Sequence, residues 1–269
     1  MFTLHLFLSD PLFLFTQTYN LFYINILYRI NFNRYLFDIL MSTAFYKNKD
    51  SFLVAVDCII IGFRDNELHI LVARRPFEPF QGGWSLMGGF VNAPENIKEA
   101  AKRVVVEFTG IDDIYLEQVG AYGDIDRDVE RVISIAYYAL VDIDQFDTSL
   151  AQKYDARWVK ITQLPELIFD HNIIVKDTIT LLQRRTAVKP IGFNLLGDQF
   201  TLPTLQCLYE SIFQEAIDKR NFRKKLLTMD ILEKLDEKDK SSSKKGAFYY
   251  KFNKEKYDQL IQQGLHFSL

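Results

Sequence analysis

The stretch WSLMGGFVNAPENIKEAAKRVVVEFTGI, Trp84 to Ile111, decides how the rest of the chain is read. It belongs to a Gly-rich segment that starts at Gln81 and carries Gly82, Gly83, Gly88 and Gly89. A punctuated helix follows. Asn92 stands as its N-cap, Pro94 sits in the first turn and Gly110 closes the end. Ile97, Ala101, Val104 and Phe108 recur at helical spacing and predict one apolar face.

Outward from this stretch the pattern alternates between periods. Residues 52–63, FLVAVDCIIIGF, are β-branched and aromatic enough for a buried strand. Asp65-Asn66 supplies a turn, and Leu68 to Ala73 returns as the second arm of a hairpin. Leu116 to Tyr122, Val132 to Val141 and Trp158 to Ile161 read as further strands, and Asn172 to Arg185 as a helix. Thr186 to Gln199, with Pro190, Gly192 and Gly197 and no strong period, reads as a linker.

Beyond it the character changes. Thr201 caps a predicted helix with Leu205, Leu208, Tyr209 and Ile212 on one stripe. After Gln214 to Ile217, Asp218 caps a second, strongly basic helix from Lys219 to Met229. Its Phe222, Leu226 and Met229 share a face, with Arg220, Arg223 and Lys224 opposite. Leu232 to Asp236, a Ser- and Lys-rich tip up to Gly246, and Phe248 to Phe252 predict a hairpin. Helix, short turn, basic helix and hairpin is the order of a winged helix-turn-helix.

The totals bound this reading. The chain has 269 residues, 48% apolar and 25% charged, as in globular proteins with a substantial core. Its net charge of −3 argues against indiscriminate binding to nucleic acid or membranes, though not against one basic patch. Cys58 and Cys207 lie far apart in apolar segments, which argues against a disulfide scaffold and a cysteine-based zinc site and fits a reducing cytoplasm.

Residues 1–41 differ in kind. They are crowded with Phe, Leu, Tyr, Ile and Asn, and Pro11 to Tyr28 is free of charge. That run approaches membrane-spanning length, but Thr16, Gln17, Thr18, Asn20 and Asn25 interrupt it and no basic start precedes it. A membrane anchor, an ordered extension and an upstream start-site artefact compete. The missing period and the ordinary beginning at Met41-Ser42-Thr43-Ala44 favour the artefact.

The central stretch resembles the Nudix box, with Gly89, Glu95, Arg103, Val105, Glu107, Gly110 and Ile111 in register. Asp126-Arg127-Asp128 followed by Arg131 to Ser134 adds a likeness to ADP-ribose pyrophosphatases. Two departures matter. The family places three glutamates at i, i+3 and i+4 on one helix face to hold magnesium, and here those positions are Val104, Glu107 and Phe108. A single carboxylate is a poor cage for the ions of pyrophosphate cleavage, so no catalytic residue, metal site or cofactor is expected. As individual charges, Glu99, Arg103 and Glu107 also read as a solvated face with i, i+4 pairs.

The whole chain from about Phe52 to Phe252 resembles the Nudix-related transcriptional regulators, through WSLMGGFV, ISIAYYALV, LPELIFDH, IGFNLL, FTLPTLQCLYESIF and DKRNFRKKLL. The resemblance implies an α/β protein, a Nudix-like α/β/α sandwich over residues 42–187. A winged helix-turn-helix domain over 188–262 and a tail over 263–269 follow. It also implies a dimeric repressor of sugar utilisation that binds a near-palindromic double-stranded operator and is released by a small-molecule effector. Met87 and Phe77-Glu78-Pro79 look like the arabinose-responsive branch. Glu78, Trp84, Asp126, Arg127 and Asp128 are the expected effector-binding groups, since sugar hydroxyls need both acceptors and donors. Lys219, Arg220, Asn221, Arg223, Lys224, Lys244 and Lys245 are the expected DNA contacts. A working nucleotide-sugar hydrolase and a membrane-tethered sensor are the competing readings.

Overall fold

Strand β1, Leu53–Arg64, is the axis of the fold. Alternate residues leave it in opposite directions, so both faces of its sheet are buried. Val56, Cys58 and Ile60 join one apolar cluster, and Ile59, Ile61 and Phe63 join the other. The computed structural model describes residues 49–146, 148–240 and 245–269, and Phe52–Leu269 forms one compact unit. Residues 1–48, where the apolar N-terminal stretch falls, lie outside the described residues. No described helix is long and apolar enough to cross a membrane.

Asp65 and Asn66 take positive φ values of 52° and 59° and fold β1 onto β2, Glu67–Arg74. Both residue types tolerate that conformation and match the turn that a twisted hairpin needs. Strands β3, Trp84–Ser85, and β4, Met87–Phe90, follow; β3 pairs with β2 and β4 with β1. Helix α1 spans Ile97–Thr109. Strands β5, Tyr115–Tyr122, and β6, Val132–Leu140, form an antiparallel pair, with β6 parallel to β1. A short helix α2, Thr148–Lys153, leads to β7, Ala156–Lys160, on the other side of β2. Helix α3, His171–Val188, crosses the face opposite α1, which makes the α/β/α sandwich.

The N-terminus of α1 corrects the expected cap. Asn96, not Asn92, caps the helix, in a capping box with Glu99. Two Asn-x-x-Glu pairs lie four residues apart. In the first, Glu95 accepts from the Asn92 amide and is gripped by Arg103, so it is held in the turn before the helix. Arg103 therefore pairs with Glu95 at 2.6 Å rather than with Glu99 or Glu107.

The segment between the halves is more ordered than its sequence suggests. Pro190–Leu195 forms a 3₁₀ turn whose Ile191, Phe193 and Leu195 are buried. Strand β8, Phe200–Thr201, helix α4, Leu202–Phe213, and helix α5, Lys219–Thr228, follow. Strands β9, Leu232–Asp239, and β10, Ala247–Phe252, form the wing, and β8 pairs with β10 in a three-stranded sheet. Thr201 and Asp218 cap α4 and α5 through their side chains, as expected. Helix α6, Lys254–Gln262, was not anticipated; Asn253 caps it and Tyr257 and Leu260 turn it onto the core.

Leu205, Leu208, Ile212, Phe222 and Leu226 share one cluster with Leu68, Ile70, Ile174 and Leu182. The C-terminal half therefore has no separate core: it packs on the sandwich. The Leu68 amide donates to Ser211 Oγ at 2.9 Å, and Gln183 Nε2 donates to the Ile212 carbonyl at 2.9 Å.

Candidate functional site

A cavity of about 820 Å³ opens beside α1. Its walls come from β1 and β4, the 74–82 loop, the end of α1, residues 152–155 at the end of α2, and the start of α3. Gly88 is a tight point of this wall, since a Cβ there would come within 2.7 Å of Asp57 Oδ1.

Asp57 anchors the floor. It is a lone carboxylate in the apolar strand β1, and a buried charge persists only when paired and hydrogen-bonded. Arg127 Nη2 lies 3.3 Å from Asp57 Oδ2 and 2.7 Å from Asp170 Oδ1. Ser134 Oγ donates to Asp57 at 2.5 Å. His171 Nδ1 accepts the Leu86 amide at 3.1 Å, so Nε2 carries the proton facing Asp57 Oδ1 at 3.5 Å. Burial alone would raise the Asp57 pKa, but His171, Ser134 and Arg127 outweigh it and hold it down at about 2. Burial pushes the neighbouring Cys58 thiol up, assisted by Asp57, which leaves it inert as a nucleophile.

At the far end stand the positions where the Nudix box carries carboxylates. Val104 is 1% exposed and part of the apolar cluster beneath α1. Phe108 packs against Tyr154, ring centroids 4.4 Å apart. Glu107 accepts the Tyr154 hydroxyl at 3.0 Å, and Lys153 Nζ donates to that oxygen at 2.7 Å. These residues do not fit a magnesium cluster, which needs several oxygen ligands. No group of three or more His, Cys, Asp or Glu side chains suited to a metal occurs among the described residues.

Of the five expected effector-binding residues, Arg127 and Asp128 line the cavity. Glu78, Trp84 and Asp126 are absent from its lining. Trp84 is occupied on its own account, with the guanidinium groups of Arg74 and Arg157 3.8 and 3.9 Å from its ring. Glu78 is exposed in the 75–83 loop. Asp126 is exposed in the turn where the Arg127 amide donates to the Asp124 carbonyl. Sequence reasoning missed Asp57, Arg75, Lys153, Tyr154, Phe169 and His171. The signal for Asp57 was present, one charge inside FLVAVDCIII; Lys153 and Tyr154 carried none, because the chain's course brings them to α1.

In the C-terminal half, Phe222 and Leu226 turn α5 onto the core, with Phe222 beside Tyr209 at 5.5 Å between centroids. Lys219, Arg220, Asn221 and Lys224 are exposed together, and Arg223 is half-buried with its Nε unpartnered among the described residues. On the wing, Lys234 and Lys238 lie 3.7 and 4.2 Å from the Phe248 ring, a basic pair not singled out in the sequence. Lys245 is exposed beside the wing tip, and Lys244 lies outside the described residues.

Family models match both halves: residues 51–182 as a NUDIX domain and residues 192–252 as an NrtR DNA-binding winged helix domain. The ADPR responsive transcriptional repressor NtrR of Acinetobacter baylyi is 31% identical over 222 residues, 80% of this chain and 88% of that protein. The chain belongs to the NrtR family of Nudix-linked transcriptional regulators. A crystal structure of Shewanella oneidensis NrtR with a 27mer DNA matches with a TM-score of 0.69 and 25% identity, over 76% of this chain and 95% of that one. An ADP-ribose pyrophosphatase of Methanocaldococcus jannaschii is 38% identical over 125 residues, 46% of this chain and 71% of that enzyme. Within the NrtR family this chain has both expected modules, a Nudix-like α/β domain followed by a winged helix.

Proposed function

We propose that this NrtR-family protein is a repressor that binds duplex DNA as a dimer, and that ADP-ribose bound uncleaved in the cavity beside α1 controls its grip. The carrying observation is the conjunction of that cavity with a relative, similar over both halves, that responds to ADP-ribose. About 820 Å³ suits a dinucleotide-sized molecule rather than a free pentose. Arg75 and Lys153 line the cavity without a carboxylate in ion-pair distance among the described residues, and a neutral sugar would leave both unused. ADP-ribose thus accounts for the site better than the arabinose expected from resemblance.

Val104 and Phe108 make the site a receptor rather than a hydrolase, since the carboxylates that would gather metal ions are replaced by apolar packing. The exposed cations of α5 and the wing would meet phosphates and base edges. Two copies would read half-sites about 34 Å apart, or a multiple of that. The route from cavity to DNA-binding face is short. Asp170 and His171 begin α3 on the cavity floor, and Gln183 near its other end holds the end of α4. An effector that prefers one setting of α3 shifts the reader by its differential affinity for the two settings.

Calorimetric titration with ADP-ribose and with arabinose, alongside an assay for magnesium-dependent ADP-ribose cleavage, tests this reading. Saturable ADP-ribose binding without turnover is expected. Turnover would restore the hydrolase reading, and binding of arabinose alone would restore the sugar effector.

A further inference from the structure

The wall where a Nudix enzyme would gather metal ions is not simply blank. Phe108 and Val104 remove two carboxylates, and the third, Glu107, is occupied by the hydroxyl of Tyr154 at 3.0 Å. That hydroxyl in turn receives Lys153 Nζ at 2.7 Å, so a fixed positive charge stands next to the surviving carboxylate. The Tyr154 ring is itself fixed, packed on Phe108 at 4.4 Å. The replacement that removed a metal ligand thus supplies the surface that holds the lysine's partner.

We propose that Lys153, presented by Tyr154 and Glu107, supplies the charge a divalent cation would supply, so that this cavity binds the pyrophosphate of its nucleotide without metal. The inference rests on the ADP-ribose reading and deepens it.

An ammonium is a compact cation with three donors on a flexible stem, able to follow a phosphate oxygen. Lys153 is exposed at the cavity edge and has no carboxylate within ion-pair distance among the described residues; Glu107 reaches it only through the Tyr154 hydroxyl, which leaves the ammonium donors to spare for a phosphate. Its bond to Tyr154 holds its pKa above the ordinary value, so it stays charged through the neutral range. Arg75 provides a second cation on the cavity without a carboxylate partner among the described residues. It is oriented by the rings of Phe77 at 4.4 Å and Phe169 at 5.2 Å, and its Nε lacks a partner among the described residues. Asp128 and Asp155 also line the cavity, and carboxylates there suit ribose hydroxyls, which can donate to them.

The arrangement separates two properties that a metal joins in the enzymes. A metal both binds the pyrophosphate and polarises it toward cleavage, whereas an ammonium binds it and leaves the bridging bond intact. Metal-free recognition would make the response independent of magnesium, a useful property in a receptor for a nucleotide.

Calorimetric titration of the full chain with ADP-ribose, in EDTA and in magnesium, tests the proposal with Lys153→Met and Lys153→Arg as variants. Wild-type affinity should agree within about twofold in the two buffers. Lys153→Met should weaken binding by about tenfold to a hundredfold, the range for a hydrogen bond to a charged group, and Lys153→Arg should keep most of it. Because the side chain is exposed, the thermal midpoint of each unliganded variant should match the wild type. Binding that requires magnesium, or a Lys153→Met variant that binds like the wild type, would overturn the inference while leaving ADP-ribose as effector. Absence of ADP-ribose binding in both buffers would overturn the effector reading, and the inference with it.

Discussion

Helices α1 and α5 are short amphipathic helices, each N-capped by a short polar side chain, yet they do opposite work with their faces. On α1 the informative face has turned inward: Val104 is buried, and Phe108 serves as a platform for Tyr154. On α5 the informative face has stayed outward, with Lys219, Arg220, Asn221 and Lys224 exposed above Phe222 and Leu226. The cavity side depends on residues brought from many separate segments. The proposed DNA side draws on one helix and a wing. Damage to the first should therefore appear as lost stability or ligand affinity, and damage to the second as lost DNA affinity with the fold intact.

The largest expected effect is on the cavity floor. Arg127→Met leaves the buried Asp57 and the half-buried Asp170 without their shared guanidinium and should cost about 3–5 kcal/mol in urea unfolding. Next is the acid dependence of the same floor. Asp57 ionises at about 2 in the folded chain against an ordinary 3.8, so its stabilisation is complete above the ordinary value and fades as pH falls through about 2. That loss amounts to about 2 kcal/mol. Urea midpoints between pH 2 and pH 5 should fall more steeply for the wild type than for Asp57→Asn. A parallel fall would show that the network does not carry it.

On the DNA side, Arg220→Ala or Arg223→Ala should weaken specific duplex binding by about 1–3 kcal/mol if the side chain pairs with a guanine edge, with unfolding unchanged. A variant that instead unfolds more easily would erase the contrast between the two helices. The smallest effect concerns Tyr209, which is fully buried between the halves with a hydroxyl that has no partner among the described residues. Tyr209→Phe should change stability by less than about 1 kcal/mol, or raise it. A larger loss in thermal unfolding would reveal a partner for that hydroxyl.

The fold was largely legible in the sequence because its signals are local. The Asp65-Asn66 turn, the αL Gly110 at the end of α1, and the Thr201 and Asp218 caps each act within a few residues of themselves. The misplaced start of α1 came from two equivalent Asn-x-x-Glu signals, decided by Arg103 reaching back eight positions to Glu95. Helix α6 was missed because its two core-facing residues, Tyr257 and Leu260, give too faint a period. The site was less legible, because a cavity is made of distant segments. Arg127 and Asp128, expected on the cleft, line the cavity, whereas Trp84, also expected there, lies outside the lining with two guanidinium groups flanking its ring. Lys153 gained its meaning only from where α2 ends.

The most direct test is the affinity of the full chain for a duplex selected from a random-sequence library, titrated with and without saturating ADP-ribose at fixed salt. Binding should weaken in the presence of the nucleotide while arabinose leaves it unchanged. Equal duplex affinity with and without ADP-ribose would contradict the proposal that the cavity beside α1 governs the DNA-binding face.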